Sequence, residues 1–252
     1  MMVRDEEDVI GYVLEHLVAN VDHIYVSDNR SVDATPEIAV SFPQVSLMHD
    51  PEIAYEQSRK MTTLAQVAFK EGHEWVVPCD ADEVWYHPGG RSLSDFLSGV
   101  GRDVQVVRAA LYNHWPTSLD DDDIDDPTQR ITWRQRSPGA LPKVCARLNP
   151  DLVIHMGNHA ATYGYPALTA RGLEIRHFSW RTEDQYLRKI RNGVESYRET
   201  EMDESIGEHW RMWEDHDDET IRAHFRRWFF IEDPLESDIL VNDRCPTGGR
   251  HE

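Results

Sequence analysis

Apolar residues in the first third of the chain follow two periods in turn. Val9, Ile10, Val13, Leu14 and Leu17 fall at helical spacing behind the acidic run Asp5 to Asp8. Negative charge suits a helix N-terminus, so the spacing predicts a helix over about 6–19. Asp22-His23-Ile24-Tyr25-Val26-Ser27-Asp28 has a β-branched and aromatic centre between polar ends and predicts a buried strand. The loop over 28–35 then lies at that strand's C-terminal end. Thr35 precedes Pro36 as an N-cap precedes the first helical residue, so a short helix is expected to about Val40. A second strand is expected over 45–48. Met61, Leu64, Ala65, Ala68 and Phe69 mark a helix over 53–71 that stops at Gly72, and Glu74-Trp75-Val76-Val77-Pro78-Cys79 reads as a third buried strand.

Strand, helix, strand, helix, strand in this order predicts the α/β class, with a parallel sheet and right-handed crossovers. Such sheets bind ligands beyond the carboxyl ends of their strands. Two polar loops fall there, the 28–35 segment and Asp80-Ala81-Asp82-Glu83. The second half is less regular. Strands are expected over 104–112, 143–147, 152–155 and 173–178. Thr182 stands before Glu183 and Asp184 as an N-cap, opening a helix with Tyr186, Leu187, Ile190, Val194 and Tyr197 on its buried face. A last helix is expected over 218–231, and no internal repeat is present. Asp120 to Asp126 is a charge run that reads as solvated and mobile; it lacks the Gly and terminal Glu of an EF-hand loop.

Composition narrows the function classes. A chain of 252 residues, 40% hydrophobic, suits one α/β domain with an appendage. The balance of 26 Lys+Arg against 46 Asp+Glu, a net charge of −20, opposes the phosphate neutralisation that a nucleic-acid binder needs. No stretch approaches the roughly 18 apolar residues of a membrane span, and the first residues lack the apolar core of a signal peptide. A cytoplasmic protein without a transmembrane segment is expected. Cys79, Cys145 and Cys245 are odd in number and widely spaced, matching neither a disulfide framework nor a zinc site.

Carboxylates do suit a divalent cation that in turn holds phosphates. Asp80 and Asp82, two positions apart after a buried strand, supply two of them, and small Ala81 leaves room for the phosphates. The same spacing also occurs by chance on solvated loops.

Three segments together carry a resemblance. They are Val3-Arg4-Asp5-Glu6-Glu7-Asp8, the run from Val21 to Thr35 (VDHIYVSDNRSVDAT), and Asp80-Ala81-Asp82-Glu83. In order and spacing they resemble family-2 glycosyltransferases, in the branch with a V-R-N/D-E start and a DHIxVxDNxSxDxT segment. The likeness continues through Lys143, Gly157-Asn158-His159 and Ile175-Arg176-His177-Phe178 to Lys189, Arg191, Asn192 and Gly193, covering roughly residues 2–195. It implies a GT-A fold over 1–195, a Rossmann-like, mainly parallel sheet flanked by helices, with a helical C-terminal extension over 196–252. It also implies transfer of a sugar from a nucleotide diphosphate donor, with inversion, supported by Mn2+ or Mg2+.

By that resemblance Arg4, Glu6 and Asp28 contact the nucleoside. Asp28 would accept a base imide proton; as a residue before Asn-x-Ser, it also reads as a turn former. Asp80 would lie near the ribose and metal, and Asp82 would ligate the metal and act in catalysis. His177 is the expected third ligand, against the alternative of a hydrogen-bonded core histidine. His159 could face the acceptor, act as base or ligate metal, whereas His155 reads as structural. Lys189 and Arg191 could reach a diphosphate or be ordinary helix-surface charge. Gln57, Arg59 and Lys60 divide between donor contact and solvent; Lys60 is taken as donor-binding. Trp210, Trp213 and Trp228 could stack on a sugar, but their spacing favours core covering.

Two departures from the pattern are visible. Arg30 and Ala34 stand where the loop often has glycine, so either φ is negative there or Arg30 is recruited toward phosphate. Little of the usual first strand precedes Val3, so that strand is expected to be short or frayed. The expected partners are a UDP-sugar and an unspecified glycan, protein or small-molecule acceptor, with a homo-oligomer possible. Two other readings compete: a nucleotidyltransferase on a similar sheet, and a non-catalytic carbohydrate-binding or scaffold module. The first usually begins with a Gly-rich loop where this chain has acids.

Overall fold

The computed structural model of the chain describes residues 1–246; residues 247–252 of the expected extension lie outside the described residues. The first part runs β1 (Met2–Val3), α1 (Ile10–Val18), β2 (Ile24–Asp28), α2 (Thr35–Val40), β3 (Val45–His49), α3 (Gln57–Lys70) and β4 (Trp75–Val76). The middle runs β5 (Glu83–Tyr86), α4 (Leu93–Ser98), β6 (Val104–Asn113), α5 (Pro127–Arg130), β7 (Trp133–Gln135), β8 (Lys143–Arg147), β9 (Val153–Ile154), β10 (Ala161–Thr162) and β11 (Leu168–His177). Then come α6 (Glu183–Arg198), α7 (Glu208–Arg211), α8 (Asp218–Trp228) and β12 (Leu240–Asn242). The class is α/β, as the alternating periods predict.

Two sheets meet around the acidic turn. β1, β2 and β3 form a parallel sheet in that order, and β4-β8-β6-β11-β5 form a mixed one in which β6 and β11 are the parallel pair. This corrects the expectation of one mainly parallel sheet containing the third predicted strand. β4 is shorter than 74–79 and pairs antiparallel with β8, Trp75 opposite Arg147. The Arg147 guanidinium lies 4.4 Å from the Trp75 ring centre, and Leu148 N–H reaches the Glu74 carbonyl at 2.8 Å. Pro78 has no N–H to extend the ladder. An apolar run reports burial, not the partner it finds.

Several boundaries shift for local reasons. α1 begins at Ile10 rather than 6, because Asp5 adopts a left-handed φ of 55° and the acids behind it serve other partners. Thr35 is the first residue of α2, not its cap; its hydroxyl accepts the Glu6 N–H at 2.8 Å. α3 begins at Gln57 rather than 53 and ends where Gly72, at φ 90°, supplies a left-handed stop. β5 was not expected, although Val84-Trp85-Tyr86 is a strand-like run. Thr182 caps α6 as predicted, accepting the Gln185 N–H at 3.1 Å. In the acidic run Asp121, Asp122, Asp123 and Asp125 are exposed, but Asp120 binds Thr117 and Asp126 caps α5.

The main core joins the two sheets with α1 and α4, through Val13, Leu14, Val26, Val84, Trp85, Leu93 and Ile175, among others. A second cluster seats α3 on β8 and β9 through Met61, Leu64, Ala65 and Ile154. The third packs α6 against α8, with Tyr186, Ile190, Val194, Trp213, Ile221 and Phe225 buried together. Trp213 and Trp210 therefore cover core, while Trp228 is exposed. Among the described residues no helix is long and apolar enough to cross a membrane.

Candidate functional site

The turn Asp80-Ala81-Asp82 links β4 to β5, and the sheet ladder fixes its neighbours. β11 runs antiparallel to β5, with His177 opposite Glu83, and the Phe178 N–H donates to the Asp82 carbonyl at 2.9 Å, one step past the last pair. That register brings His177 Nε2 to 3.5 Å from Asp82 Oδ1. The Nδ1 atom of His177 lies 2.8 Å from the side-chain oxygen of Asn113, its neighbour across β6. An amide oxygen only accepts, so Nδ1 donates to it, and this bond orients the ring with Nε2 toward Asp82. The Ser179 hydroxyl lies 2.8 Å from Nε2.

Cations from the α6 region balance the acids. Lys189 Nζ lies 2.5 Å from Asp82 Oδ2 and 3.6 Å from Glu6 Oε1. Arg181, with a fully buried side chain, holds Asp8 by two bonds of 2.7 and 2.9 Å, reaches Glu6 with the same guanidinium, and stands 3.9 Å from Asp82. Burial alone would raise the Asp82 pKa. Lys189, His177 and Arg181 more than offset it and hold Asp82 well below the ordinary carboxylate range. At Glu6 burial prevails over Lys189 and Arg181, and the pKa is raised.

Asp80 faces elsewhere. Its Oδ2 pairs with Lys143, whose buried ammonium also meets Glu83, and its Oδ1 accepts from the Asn158 amide at 3.1 Å. Glu83 is wholly buried; its other oxygen accepts from Trp85 Nε1 at 3.1 Å and from the Asp80 N–H at 3.2 Å. Burial raises the Glu83 pKa against the pull of Lys143. Asn158 is fully buried at a left-handed φ of 58° after Gly157 at φ 71°, and Gly157 N–H is held by Gln57 at 2.6 Å.

The two carboxylates of the turn therefore diverge. Asp82 and His177 present an oxygen and an imidazole nitrogen side by side, with Asn113 fixing the ring from behind. Asp80 does not join them, because both its oxygens are engaged by Lys143 and Asn158. Among the described residues no group of three or more His, Cys, Asp or Glu side chains is arranged to hold a metal. Two of the three expected ligands meet, and the third belongs to a neighbouring ion pair.

The remaining expected residues fall into separate places. Arg4 binds Glu195 and, at 3.3 Å, the Ser196 hydroxyl, tying β1 to the end of α6. Asp28 is buried and accepts the Ser31 N–H at 3.2 Å, so it does form the turn, while its other oxygen lies 3.7 Å from His49. Lys60 is held by Asp50 and the Glu52 carbonyl, both at 2.6 Å, and Asn29 also bonds Asp50, at 3.1 Å. Lys60 thus supports the loop beside Asp28 rather than the Asp82 centre. Arg30 adopts φ 62° on an exposed loop, so the glycine-like conformation is kept despite the side chain. His159 lies apart from this centre: its Nδ1 is 2.9 Å from the Pro142 carbonyl, and its ring lines a different cavity with Arg108 and Tyr163. Arg191 binds Asp218 and the His216 carbonyl, joining α6 to α8, and Arg59 pairs with Glu52 at the surface.

Sequence reasoning missed Arg181, Asp8 and Asn113. Arg181 sits between Trp180 and the predicted cap Thr182, and an arginine beside a helix start gives no sign that it will be buried. Asp8 was assigned to a helix terminus. No protein-family model matches the chain, and no curated protein matches it either.

Proposed function

We propose that this protein is a glycosyltransferase that moves a sugar from a nucleotide diphosphate donor, a UDP-sugar by preference, to an acceptor hydroxyl. The observation that carries the reading is the meeting of Asp82 and His177 at the turn after β4, with Lys189 and Arg181 around them. The sequence resemblance asks for that meeting, and a soluble fold has no general reason to produce it. The architecture belongs to the same reading: a parallel half bearing Asp28, a mixed half bearing His177, and the acidic turn at their junction are consistent with a GT-A arrangement.

Asp82 and His177 would hold Mn2+ or Mg2+. Such an ion, when bound, neutralises the charge that builds on the departing diphosphate, worth several kcal/mol. The chain's own groups complement it. Lys189 is the part-exposed cation of the centre, with a side chain 24% accessible, and its ammonium can turn from Asp82 to a phosphate oxygen. Arg181 is locked by Asp8 and Glu6, so it supplies fixed positive potential rather than a moving contact. Asn158 and Lys143 hold Asp80 beside this centre, where a ribose hydroxyl would find an acceptor. Asp28 and Arg4 line the nucleoside end of the reading, and the proposal gives His159 no catalytic role. Inversion at the anomeric carbon rests on the sequence resemblance.

A panel of nucleotide sugars incubated with Mn2+ or Mg2+ tests this directly, read as slow release of free sugar and nucleoside diphosphate. Release from one donor, lost in Asp82→Asn, is the expected outcome. Pyrophosphate release from a sugar phosphate and a nucleoside triphosphate would point instead to a nucleotidyltransferase. Inertness toward every donor together with failure to bind nucleotide would leave a non-catalytic module.

A further inference from the structure

Strand β6 sends alternate residues to opposite faces of the mixed sheet. Val107, Ala109 and Leu111 enter the main core, whereas Arg108 points the other way and is exposed. Its partner in register on the parallel strand β11 is Arg171, also exposed. Like charges directly opposite each other on neighbouring strands repel. The chain has 46 Asp+Glu against 26 Lys+Arg, yet no carboxylate answers this pair. Among the described residues neither arginine makes an ion pair or a hydrogen bond. Further along β11 the opposite holds: Arg176 shares Asp243 with Arg134, and Glu174 accepts from the Tyr86 hydroxyl.

Arg108 also lines a cavity of about 300 Å3, together with His159, Thr162, Tyr163, Tyr165 and Thr169. Among the described residues no Asp or Glu lines it. Thr169, opposite Val106, shares its face of β11 with Arg171, which places Arg171 next to the cavity. Tyr163 and Tyr165 stack with ring centres 5.5 Å apart. The Tyr163 hydroxyl donates to the Arg147 carbonyl at 2.8 Å, which fixes that ring, while Tyr165 is 46% exposed. Two unanswered guanidiniums beside an acid-free cavity match a dianion, and the fork of a guanidinium suits phosphate oxygens. A carboxylate would bring only one charge to the two. The open face of Tyr165 suits a ring.

We infer that this cavity is a second ligand site, taking a phosphate monoester whose ring rests on Tyr165 while Arg108 and Arg171 hold the phosphate. The site lies on the opposite face of β6 from Asn113, and so behind the Asp82 and His177 centre. This inference is independent of the proposed activity.

The test is calorimetry with phenyl phosphate, benzoate and inorganic phosphate on the 252-residue chain and on Arg108→Gln and Arg171→Gln. Both side chains are exposed and unpaired, so without phosphate neither variant should unfold at a lower temperature than the parent chain. Phenyl phosphate is expected to bind the parent at least about tenfold more tightly than it binds either variant. In the parent it should also bind more tightly than benzoate or inorganic phosphate. No binding to the parent, or equal affinity in parent and variants, would overturn the inference. Benzoate binding as tightly as phenyl phosphate would overturn the choice of a dianion, and inorganic phosphate doing so would overturn the place given to the ring.

Discussion

His177 Nε2 and Asp82 Oδ1 stand 3.5 Å apart although they come from opposite halves of the chain. Their approach is a property of the backbone, because β5 and β11 are in register at Glu83 and His177 and the ladder continues to Asp82 and Phe178. Any account of this protein has to explain a buried carboxylate with an imidazole on one side and an ammonium on the other.

Asp82→Asn keeps the shape and removes the charge. Lys189 would then lose its nearest counter-charge and keep only Glu6 at 3.6 Å, so a loss of about 3 kcal/mol in unfolding free energy is expected. Sugar release is expected to fall at least about a hundredfold, the scale of a major electrostatic contributor. Denaturant titration and donor turnover on the same preparation read both effects. Turnover near that of the parent chain would remove Asp82 from the chemistry.

Arg181→Met should be more damaging to the fold than to any single contact. It strips Glu6 and Asp8 of their common partner and leaves two carboxylates in a low-dielectric centre, at about 3–5 kcal/mol. Arg181→Lys retains the charge but loses the two-pronged bond to Asp8, so it should recover only part of that stability. Equal denaturation midpoints for the two variants would contradict a role for charge alone, whereas a Lys variant as stable as the parent chain would show that charge, not fork geometry, is what Arg181 supplies.

The fold was legible where a period meets a burial requirement. Helix α6, its Thr182 cap and its buried Tyr186, Ile190 and Val194 follow from spacing alone, and strand β8 matches its predicted bounds. Partnership was not legible. Trp75 and Val76 read as a buried strand whichever sheet receives them, and they joined β8 instead of extending the parallel sheet. The candidate site shows the same division. Asp82, His177 and Lys189 converge, but the direction each carboxylate faces depends on cations that no spacing reveals. Lys143 draws Asp80 away, Pro142 occupies His159, and Arg181 gathers acids that looked like a helix terminus.

His114 supplies a pH prediction outside the centre. Its ring is buried, bonded to the Ile131 carbonyl at 2.7 Å and stacked on Phe178, and burial lowers its pKa to about 3. Its ordinary value is 6.5, so between these values the unfolded chain binds a proton that the folded chain refuses. Stability therefore falls as pH drops below 6.5, by about 2 kcal/mol between pH 6.5 and 5 from this residue alone. His114→Gln should start less stable at pH 7 and show a correspondingly shallower decline, measured by urea titration at each pH. An unchanged slope would contradict the assignment.

Asp28→Asn separates turn from ligand. The amide oxygen can still accept the Ser31 N–H, so the unfolding midpoint should change little, while the charge proposed to face the nucleobase is gone. Calorimetry with UDP is expected to show affinity about tenfold weaker, the equivalent of roughly 1.4 kcal/mol. Unchanged affinity would leave Asp28 as a turn residue only.

The most direct measurement of the central claim is electron paramagnetic resonance of Mn2+ added to the protein with UDP, read for nitrogen coupling to the ion. The account predicts nucleotide-dependent Mn2+ binding with an imidazole nitrogen in its coordination sphere, and loss of that coupling in His177→Ala while the fold persists. Mn2+ that binds with no nitrogen coupling, or a coupling that survives in His177→Ala, would contradict it.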